Sequence, residues 1–200
     1  MKDVVVVFAR VPRLGAVKRR LARDIGARAA LRFHTQTLLR LLRDLTADIR
    51  FRTVLAVTPD RSRFRLPIRV ERIGQGHGDL GIRMQRSFRR FPRARVALIG
   101  SDIPDAGSRD ARAAFRALGS ADAAFGPAED GGYWLVAMSP RRPARAFADV
   151  RWSTQYALAD TLANFRRHRV ALLRRLSDVD TAADYAQYRL SSRSKPCGSE

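Results

Sequence analysis

The hydrophobic pattern of the chain alternates between short apolar runs and longer segments with a single apolar face. Residues 3–9 (DVVVVFA) form a nearly unbroken β-branched run, which is typical of a strand buried on both faces of a parallel sheet. After Gly26, mostly apolar residues recur at helical spacing on one broad face, and this spacing predicts a long amphipathic helix. The positions on that face are Ala30, Leu31, Phe33, Thr37, Leu38, Leu41, Leu42 and Leu45.

The rest of the chain repeats this alternation of strands and helices. Further strands are predicted at residues 51–58, 68–73, 95–100, 121–125, 133–138 and 170–173. Further helices are predicted at residues 18–25, 79–91, 108–118, 154–166 and 181–189. This order predicts an α/β fold, with one layered, Rossmann-like domain over residues 1–190 and a mainly parallel central sheet flanked by helices. Residues 191–200 have little apolar content, and we expect a disordered tail there.

The composition is that of a soluble globular protein. Hydrophobic residues make up 46% of the 200 residues and charged residues 29%, which excludes wholesale disorder. The apolar run at residues 4–9 is far shorter than the ~20 residues that span a bilayer, and no signal-peptide pattern is present. Cys197 is the only cysteine, which excludes a disulfide framework. We therefore expect a cytoplasmic protein.

The net charge is the unusual property of this sequence. Lys and Arg number 39 against 19 Asp and Glu, which gives a formal charge of +20. Such a charge attracts polyanions, including nucleic acid, anionic lipid headgroups and phosphorylated metabolites. The basic residues are spread along the whole chain, and no stripe of aromatic and basic residues of the kind that stacks bases is present. We therefore expect no specific nucleic-acid binding. Peripheral contact with an anionic membrane is an alternative hypothesis.

The loop after the first predicted strand, residues 10–21, is a candidate anion site. It leaves the carboxyl end of a strand, where open α/β sheets bind ligands, and it runs into a helix N-terminus, which attracts anions. We expect Arg10, Lys18 and Arg20 to neutralise the phosphates of a nucleotide there. The loop lacks the Gly-Lys-Ser/Thr of a P-loop, and a solvated basic loop is the alternative interpretation.

Two acidic segments are candidates for a metal site. Asp102 follows the apolar strand at 95–100, and Asp130 stands in residues 125–133 directly before Gly131 and Gly132. Mg²⁺ and Mn²⁺ take oxygen ligands, often one or two carboxylates together with substrate phosphates. The alternatives are a turn or helix cap at Asp102 and a hairpin turn around Asp130, although such a turn could also present Asp130 to the site.

Other acidic residues are predicted to be structural. Asp79, Asp105 and the pair Asp180 and Asp184 stand at predicted helix starts, where aspartate is a common N-cap. Residues 76–81 spell G-x-G-x-x-G, but this segment follows the third predicted strand rather than the first, so we reject a dinucleotide site.

Taken in order, these segments resemble the radical-SAM/selenodomain-associated transferase 1 family, which is placed among GT-A-type glycosyltransferases. The resemblance extends from about residue 4 to 188. Arg10 replaces a lysine of the family pattern and keeps its charge, whereas Arg19 replaces a threonine and loses its hydroxyl. The matching blocks are 8–21 (FARVPRLGAVKRRL), 78–84 (GDLGIRM), 100–105 (GSDIPD), 125–133 (FGPAEDGGY), 152–154 (WST) and 178–184 (DVDTAAD).

The resemblance implies a nucleotide-diphospho-sugar transferase fold with bound Mg²⁺ or Mn²⁺. Asp102 and Asp130 would be the catalytic, metal-holding residues. The residues implied for nucleotide and phosphate binding are Arg10, Gly15, Lys18, Arg20, Arg83, Gly131 and Gly132. We expect glycosyl transfer from a nucleotide sugar to an unspecified acceptor. Nucleotidyl transfer to a phosphorylated small molecule, with release of pyrophosphate, is the close alternative, and a nucleic-acid-binding protein is a third.

Overall fold

A computed structural model describes residues 2–62 and 64–193 of the chain. The strands are β1 (Asp3–Arg10), β2 (Phe51–Thr58), β3 (Glu71–Gly74), β4 (Val96–Gly100), β5 (Ala123–Pro127), β6 (Tyr133–Met138) and β7 (Val170–Leu172). The helices are α1 (Arg19–Ile25), α2 (Ala27–Ala47), α3 (Leu80–Arg90), α4 (Ser108–Ala117), α5 (Ala157–Ala163) and α6 (Ala182–Arg193). The predicted order of strands and helices is confirmed. None of the helices in this described part is long and apolar enough to cross a membrane.

Several element boundaries differ from the predicted ones. Strand β3 begins at Glu71 rather than at residue 68, and α5 begins at Ala157 rather than at Thr154. The Thr154 hydroxyl accepts a hydrogen bond from the backbone N–H two residues later, which favours a turn over a helix at that point. Helix α6 continues to Arg193, past the predicted start of the tail, and residues 194–200 lie outside the described residues.

The central sheet has the strand order β3-β2-β1-β4-β6-β5-β7. Strand β1 pairs in parallel with β2 and β4, and β5 pairs in parallel with β7. Strand β6 is antiparallel to both of its neighbours. The predicted α/β fold with a mainly parallel sheet is therefore confirmed. Because β6 is reversed, its amino end lies at the same edge of the sheet as the carboxyl ends of β1 and β4.

The side chains of β1 point alternately to the two faces of the sheet. Val5 and Val7 face a core formed with α2 and α4, whereas Val4, Val6 and Phe8 face a second core formed with α3 and α5. Helices therefore cover both faces of the sheet, and this double burial explains why the run carries no alternating polar residues.

A third, smaller core attaches α6 to the rest of the domain. Leu21 of α1, Phe33 of α2 and Val179 form this core. The rings of Tyr185 and Tyr188 in α6 pack edge-on against the Phe33 ring, with centroids 5.2 and 5.7 Å away. This packing brings the segment before α6 next to the loop before α1, and both segments carry charged residues.

Candidate active-site cleft

A cleft of about 560 Å³ opens at the edge of the sheet where β1 and β4 end and β6 begins. Open α/β sheets bind their ligands at this edge. The cleft is lined by aromatic and charged side chains, which are Phe8, Arg10, Asp102, Asp130, Tyr133, Trp134, Trp152, Asp178 and Asp180. Aromatic surface and four carboxylates therefore share one concave site.

Asp102 lies in the turn directly after β4. The backbone N–H of Ser101 donates to the Phe8 carbonyl oxygen at 3.1 Å, which extends the β1–β4 pairing into the turn. Oδ1 of Asp102 lies 3.4 Å from His34 Nδ1 and 3.5 Å from Lys18 Nζ, and the side chain is half exposed to the cleft. Removal of solvent by itself raises the pKa of Asp102, but His34 and Lys18 outweigh this effect and hold the pKa below its usual range.

Lys18 is a buried cation at the end of the loop before α1. Its side chain is only 3% exposed, and Nζ donates to Asp180 Oδ1 at 2.7 Å. Its backbone has a φ of 47°, in the left-handed region that residues other than glycine rarely adopt. Burial by itself lowers the pKa of Lys18, but Asp102 and Asp180 raise it above its usual value. The ammonium therefore stays charged between two carboxylates.

Asp178 and Asp130 complete the acidic lining of the cleft. Burial raises the pKa of Asp178 to about 6, with further contributions from the charges of Asp180, Asp130 and Asp102 and an opposing one from Lys18. The exposed Asp130 accepts a hydrogen bond through Oδ1 from the Gly132 N–H at 2.9 Å. Negative charge therefore exceeds positive charge around Asp178.

The structure brings together some of the predicted site residues and not others. Arg10, Asp102, Asp130 and Gly132 line the cleft, and Lys18 reaches it through its contact with Asp102. The cleft lining does not include the other predicted residues, which are Gly15, Arg20, Arg83 and Gly131.

The predicted residues outside the lining have different surroundings. Arg20 is exposed on the first turn of α1, and Arg83 Nε donates to the Gly78 carbonyl oxygen at 2.8 Å. Gly15 has a φ of 73° in the loop between β1 and α1, and no atom of the described residues lies within 4 Å of the position that a Cβ would take. The phosphate-binding roles of these residues stay predictions.

Gly131 holds the turn that presents Asp130. The predicted hairpin is confirmed, because the Ala128 N–H donates to the Gly132 carbonyl oxygen at 3.0 Å and β5 pairs with β6. Gly131 has a φ of 83°, and a Cβ at this position would lie 2.1 Å from the carbonyl oxygen of Gln155. Only glycine fits this backbone without displacing the segment that precedes α5.

One of the predicted helix caps is confirmed and another is wrong. Asp79 caps α3, since its Oδ1 accepts the backbone N–H three residues later at 2.8 Å. Asp105 does not cap α4, because the N-cap is Gly107 and the Ser108 N–H donates to Asp44 at 2.6 Å. A carboxylate from the neighbouring helix α2 thus supplies the contact that the sequence assigned to a local residue.

Sequence reasoning missed His34, Asp178 and Asp180 as site residues. His34 lies on the apolar face of α2 and is 3% exposed, so its sequence pattern favours a core position rather than a site. Asp180 was predicted to act with Asp184 as a helix cap. Only Asp184 has that role, because it accepts the N–H groups of Asp180 and Thr181 at 3.0 and 2.8 Å. The Asp180 carboxylate instead faces Lys18, which is 162 positions away in sequence.

The carboxylates that line the cleft could supply some, but not all, of the ligands of a divalent cation. Within residues 2–62 and 64–193, no group of three or more His, Cys, Asp and Glu side chains is arranged to hold a metal ion. Burial is the main cause of the raised pKa of Asp178, and the charges of Asp180, Asp130 and Asp102 add to it; a bound cation would offset the contribution of those charges. Mg²⁺ commonly binds through one or two carboxylates and takes its other ligands from water and substrate phosphates. The residues present therefore fit a cation that arrives with a phosphorylated substrate.

Comparison with protein families gives one match. A family model described as "Uncharacterized protein conserved in bacteria (DUF2064)" matches residues 41–154, which is more than half of the chain. This segment includes Asp102 and Asp130 but ends before Asp178, and it begins after Lys18 and His34. A comparison with curated proteins finds no match.

Comparison with solved structures shows which proteins share the fold. A "putative nucleotide-diphospho-sugar transferase" from Desulfovibrio desulfuricans G20 is 29% identical, with a TM-score of 0.88 over 98% of this chain and 90% of that one. Rv0371C of Mycobacterium tuberculosis H37Rv, in complex with manganese, is 18% identical, with a TM-score of 0.55 over 93% and 97%. CMP:2-keto-3-deoxy-manno-octonic acid synthetase, in complex with CTP, is 11% identical, with a TM-score of 0.54 over 96% and 99%. The fold is thus that of nucleotide-sugar transferases and cytidylyltransferases.

Proposed function

Since the chain belongs to the bacterial family DUF2064 and shares its fold with nucleotide-dependent transferases, we propose that it is a metal-dependent glycosyltransferase that uses a nucleotide sugar. The observation that carries this proposal is the position of Asp102. An ionised carboxylate stands at the carboxyl end of a central strand, next to a buried ammonium, in a cleft with aromatic walls. The narrower resemblance to the radical-SAM/selenodomain-associated transferase 1 family and a cytoplasmic location stay predictions.

Asp102 and Asp130 would hold Mg²⁺ or Mn²⁺ together with the diphosphate of the substrate. The cation, when bound, would stabilise negative charge on the leaving phosphate. This assignment is supported by the presence of both carboxylates on one cleft and by the manganese complex of Rv0371C. Lys18 would bind the same diphosphate, because its ammonium is held in the cleft and needs only to exchange a carboxylate partner for a phosphate oxygen.

Asp178 is suited to accept the proton of the acceptor hydroxyl. A general base works best when its pKa lies near the operating pH, and the pKa of Asp178 is raised to about 6. In glycosyl transfer, the acceptor oxygen forms a bond to the anomeric carbon while the bond between that carbon and the phosphate oxygen breaks. The nucleoside diphosphate leaves with the bonding electron pair, and the acceptor proton passes to the Asp178 carboxylate.

Nucleotidyl transfer is a second candidate, and Lys18 is the observation that favours it. A buried lysine in the loop after β1 is placed to stabilise the charge that develops at an α-phosphate when pyrophosphate leaves. The CTP complex with the same fold supports a nucleoside triphosphate as the substrate.

Product analysis with Mg²⁺ or Mn²⁺ separates the two reactions. The purified protein is incubated with nucleotide sugars in one series, and with nucleoside triphosphates plus sugar phosphates in another. Release of nucleoside diphosphate in the first series supports glycosyl transfer, whereas release of pyrophosphate in the second supports nucleotidyl transfer. Asp102→Ala is the control in both series. A reaction that is equally fast with Asp102→Ala would contradict the proposed site.

A further inference from the structure

Exposed apolar side chains are concentrated around the mouth of the cleft. Among residues 2–62 and 64–193, seven large apolar or aromatic side chains are exposed, and four of them belong to segments that line the cleft or adjoin its lining. These segments are the loop after β1, the first turn of α3 and the residues directly before α5. The four side chains, which we call the rim, are Leu14, Leu80, Ile82 and Tyr156, with exposed fractions of 54%, 43%, 51% and 45%.

The topology explains why the rim residues share one edge of the sheet. Strands β1, β2 and β3 are parallel, so the loop after β1 and the helix α3 after β3 both begin at the carboxyl edge. The segment before α5 reaches the same edge, because Ser153 and Thr154 line the cleft. Scattered exposed apolar residues are ordinary on a protein surface, whereas a concentration of them at one edge is typical of an interaction surface.

Positive charge accompanies the rim in the loop after β1. Residues 10–23 include six basic residues and no acidic one, and two of the six, Arg10 and Lys18, are part of the cleft. The other four are exposed outside its lining, and within the described residues none of their guanidinium groups forms a hydrogen bond or an ion pair. These four, the loop arginines, are Arg13, Arg19, Arg20 and Arg23. The cleft is therefore acidic inside, while the loop at its outer edge carries unpaired positive charge.

An anionic lipid bilayer is a partner that satisfies both features of this surface. Its headgroups attract arginines that lie close to the membrane, and the region just below the headgroups buries apolar side chains. The Tyr156 ring, which combines an apolar body with a polar hydroxyl, is of the kind that lies at the headgroup level. Nucleic acid would also attract the arginines, but its sugar–phosphate backbone offers no apolar surface on which to bury Leu14 and Ile82.

We infer that the rim and the loop arginines dock on the surface of a membrane that contains anionic lipids, so that the cleft opens towards the headgroups. The arginines bind the headgroup phosphates, and Leu14 and Ile82 insert next to them. This contact goes beyond the proposed reaction and does not depend on which group is transferred. It predicts binding through one edge of the molecule, whereas a charge that acts only through the net +20 would bind through any face.

Co-sedimentation with lipid vesicles compares the rim with the opposite edge of the sheet. The vesicles are phosphatidylcholine alone or an equimolar mixture of phosphatidylcholine and phosphatidylglycerol, at physiological salt. Leu14→Ser and Ile82→Ser remove apolar rim side chains one at a time, and Ile49→Ser is the matched control, since Ile49 is 81% exposed in the turn between α2 and β2. We expect each rim variant to bind the mixed vesicles about fivefold more weakly, because about half of each side chain is free to be buried in lipid. Ile49→Ser should bind as the parent protein does.

The double variant Arg13→Ala/Arg19→Ala tests the loop arginines. Arg43→Ala/Arg116→Ala is its control, since it removes the same charge from exposed positions near the ends of α2 and α4, at the opposite edge. We expect the loop variant to bind the mixed vesicles about 30-fold more weakly, roughly fivefold for each arginine. The control should stay within about threefold, because the length of the eight-residue strand β1 exceeds the Debye length of about 8 Å. The parent protein should not sediment with phosphatidylcholine alone.

Three results would overturn the inference. The first is a parent protein that does not sediment with the mixed vesicles. The second is a control variant that loses as much affinity as its counterpart at the rim or the loop, because charge would then bind without a preferred face. The third is unchanged vesicle binding by both Leu14→Ser and Ile82→Ser, which would leave only the phosphate contact that RNA also provides.

Two further measurements keep these results separate from misfolding and from the proposed function. The melting temperature shows whether each variant is folded, and one folded serine variant is enough for the comparison with Ile49→Ser. The product analysis with Mg²⁺ or Mn²⁺ is run on the same proteins without vesicles. An inactive protein that docks through its rim overturns only the proposed function, and an active protein that does not dock overturns only this inference.

Discussion

Strands β1 and β4 have charged residues at both of their ends. The charges are paired at the amino ends, whereas negative charge is in excess at the carboxyl ends. At the amino ends, Arg95 donates to Asp3 through Nε at 2.8 Å and Nη2 at 2.6 Å, and it donates to the Phe115 carbonyl oxygen at 3.1 Å. One cation and one anion meet there in a two-bond geometry. At the carboxyl ends, four carboxylates line the cleft, and the buried Lys18 ammonium contacts only two of them, Asp102 and Asp180, among the described residues. Full charge pairing therefore marks the structural end of these strands, and excess negative charge marks the end that we assign to function.

Removal of Asp102 is the strongest test of this difference. We expect Asp102→Ala to weaken metal-dependent nucleotide binding roughly 100-fold or more, as the loss of several kcal/mol of charge stabilisation implies. We expect little change in melting temperature, because Lys18 keeps its 2.7 Å bond to Asp180. Isothermal titration calorimetry with Mn²⁺ and nucleoside diphosphates measures the first effect and differential scanning calorimetry the second. Unchanged affinity would refute the assignment of Asp102.

Lys18 offers a test within the cleft. We expect Lys18→Ala to weaken binding of a nucleoside diphosphate about 10-fold or more, while binding of the nucleoside changes little, since a charged hydrogen bond contributes about 1.5–3 kcal/mol. The effect of Arg20→Ala should be smaller, because Arg20 is exposed outside the cleft lining. Arg32→Ala, at an exposed position on α2, removes the same charge as a control. Equal losses for nucleoside and diphosphate would mean that Lys18 only shapes the cleft.

A substitution at the amino ends of β1 and β4 should affect stability and leave nucleotide affinity unchanged. We expect Asp3→Ala to destabilise the fold by about 1–2 kcal/mol, because it removes both hydrogen bonds that the Arg95 guanidinium donates to Asp3. That cost corresponds to a melting temperature lower by about 2–8 °C in a chain of this size. Nucleotide affinity, measured by the same calorimetry, should stay unchanged. A loss of affinity would show that the two ends of the sheet are coupled.

Substitution of Asp178 should have the smallest effect on stability, and this effect should depend on pH. Its folded-state pKa of about 6 lies above the ordinary value of 3.8, so ionisation destabilises the fold as pH rises through that interval. We expect Asp178→Asn to gain about 1 kcal/mol at pH 7.5, after allowance for solvent screening of a half-buried group, and nothing near pH 3.5. Thermal unfolding at the two pH values measures the difference. Transferase activity should fall in the same variant, and a gain that is equal at both pH values would contradict the electrostatic origin.

The sequence predicts the fold far better than it predicts the site. The run at residues 3–9 and the apolar face of α2 are local patterns, and both elements are confirmed within a few residues. The hairpin at Asp130 is also local, since adjacent glycines specify it. The Lys18–Asp180 pair depends instead on the packing of α6 against α1 and α2, which joins residues 162 positions apart. The local sequence around Asp180 predicts a helix cap, because no neighbouring residue indicates that Lys18 lies close to it in the fold.

Asp102 and His34 also differ in how well the sequence predicts them as site residues. The end of an apolar strand is a strong signal, so Asp102 is predictable as a cleft residue. His34 carries the opposite signal, since a histidine on the buried face of a helix is ordinarily part of the core. Its contact with Asp102 depends on where α2 crosses the end of β1, and that crossing is set by Leu38, Leu41 and their partners in the sheet rather than by His34 itself.

The small core around Phe33 determines when the cleft can form during synthesis. Domains fold as units while the ribosome adds residues from the amino end. Lys18, His34 and Asp102 are made early, whereas Asp178 and Asp180 are placed only after Tyr185 and Tyr188 can pack against Phe33. Until that packing forms, the Lys18 ammonium lacks its nearest counter-ion, Asp180. Two of the four carboxylates that line the cleft, Asp178 and Asp180, are therefore among the last parts of the site that the growing chain acquires.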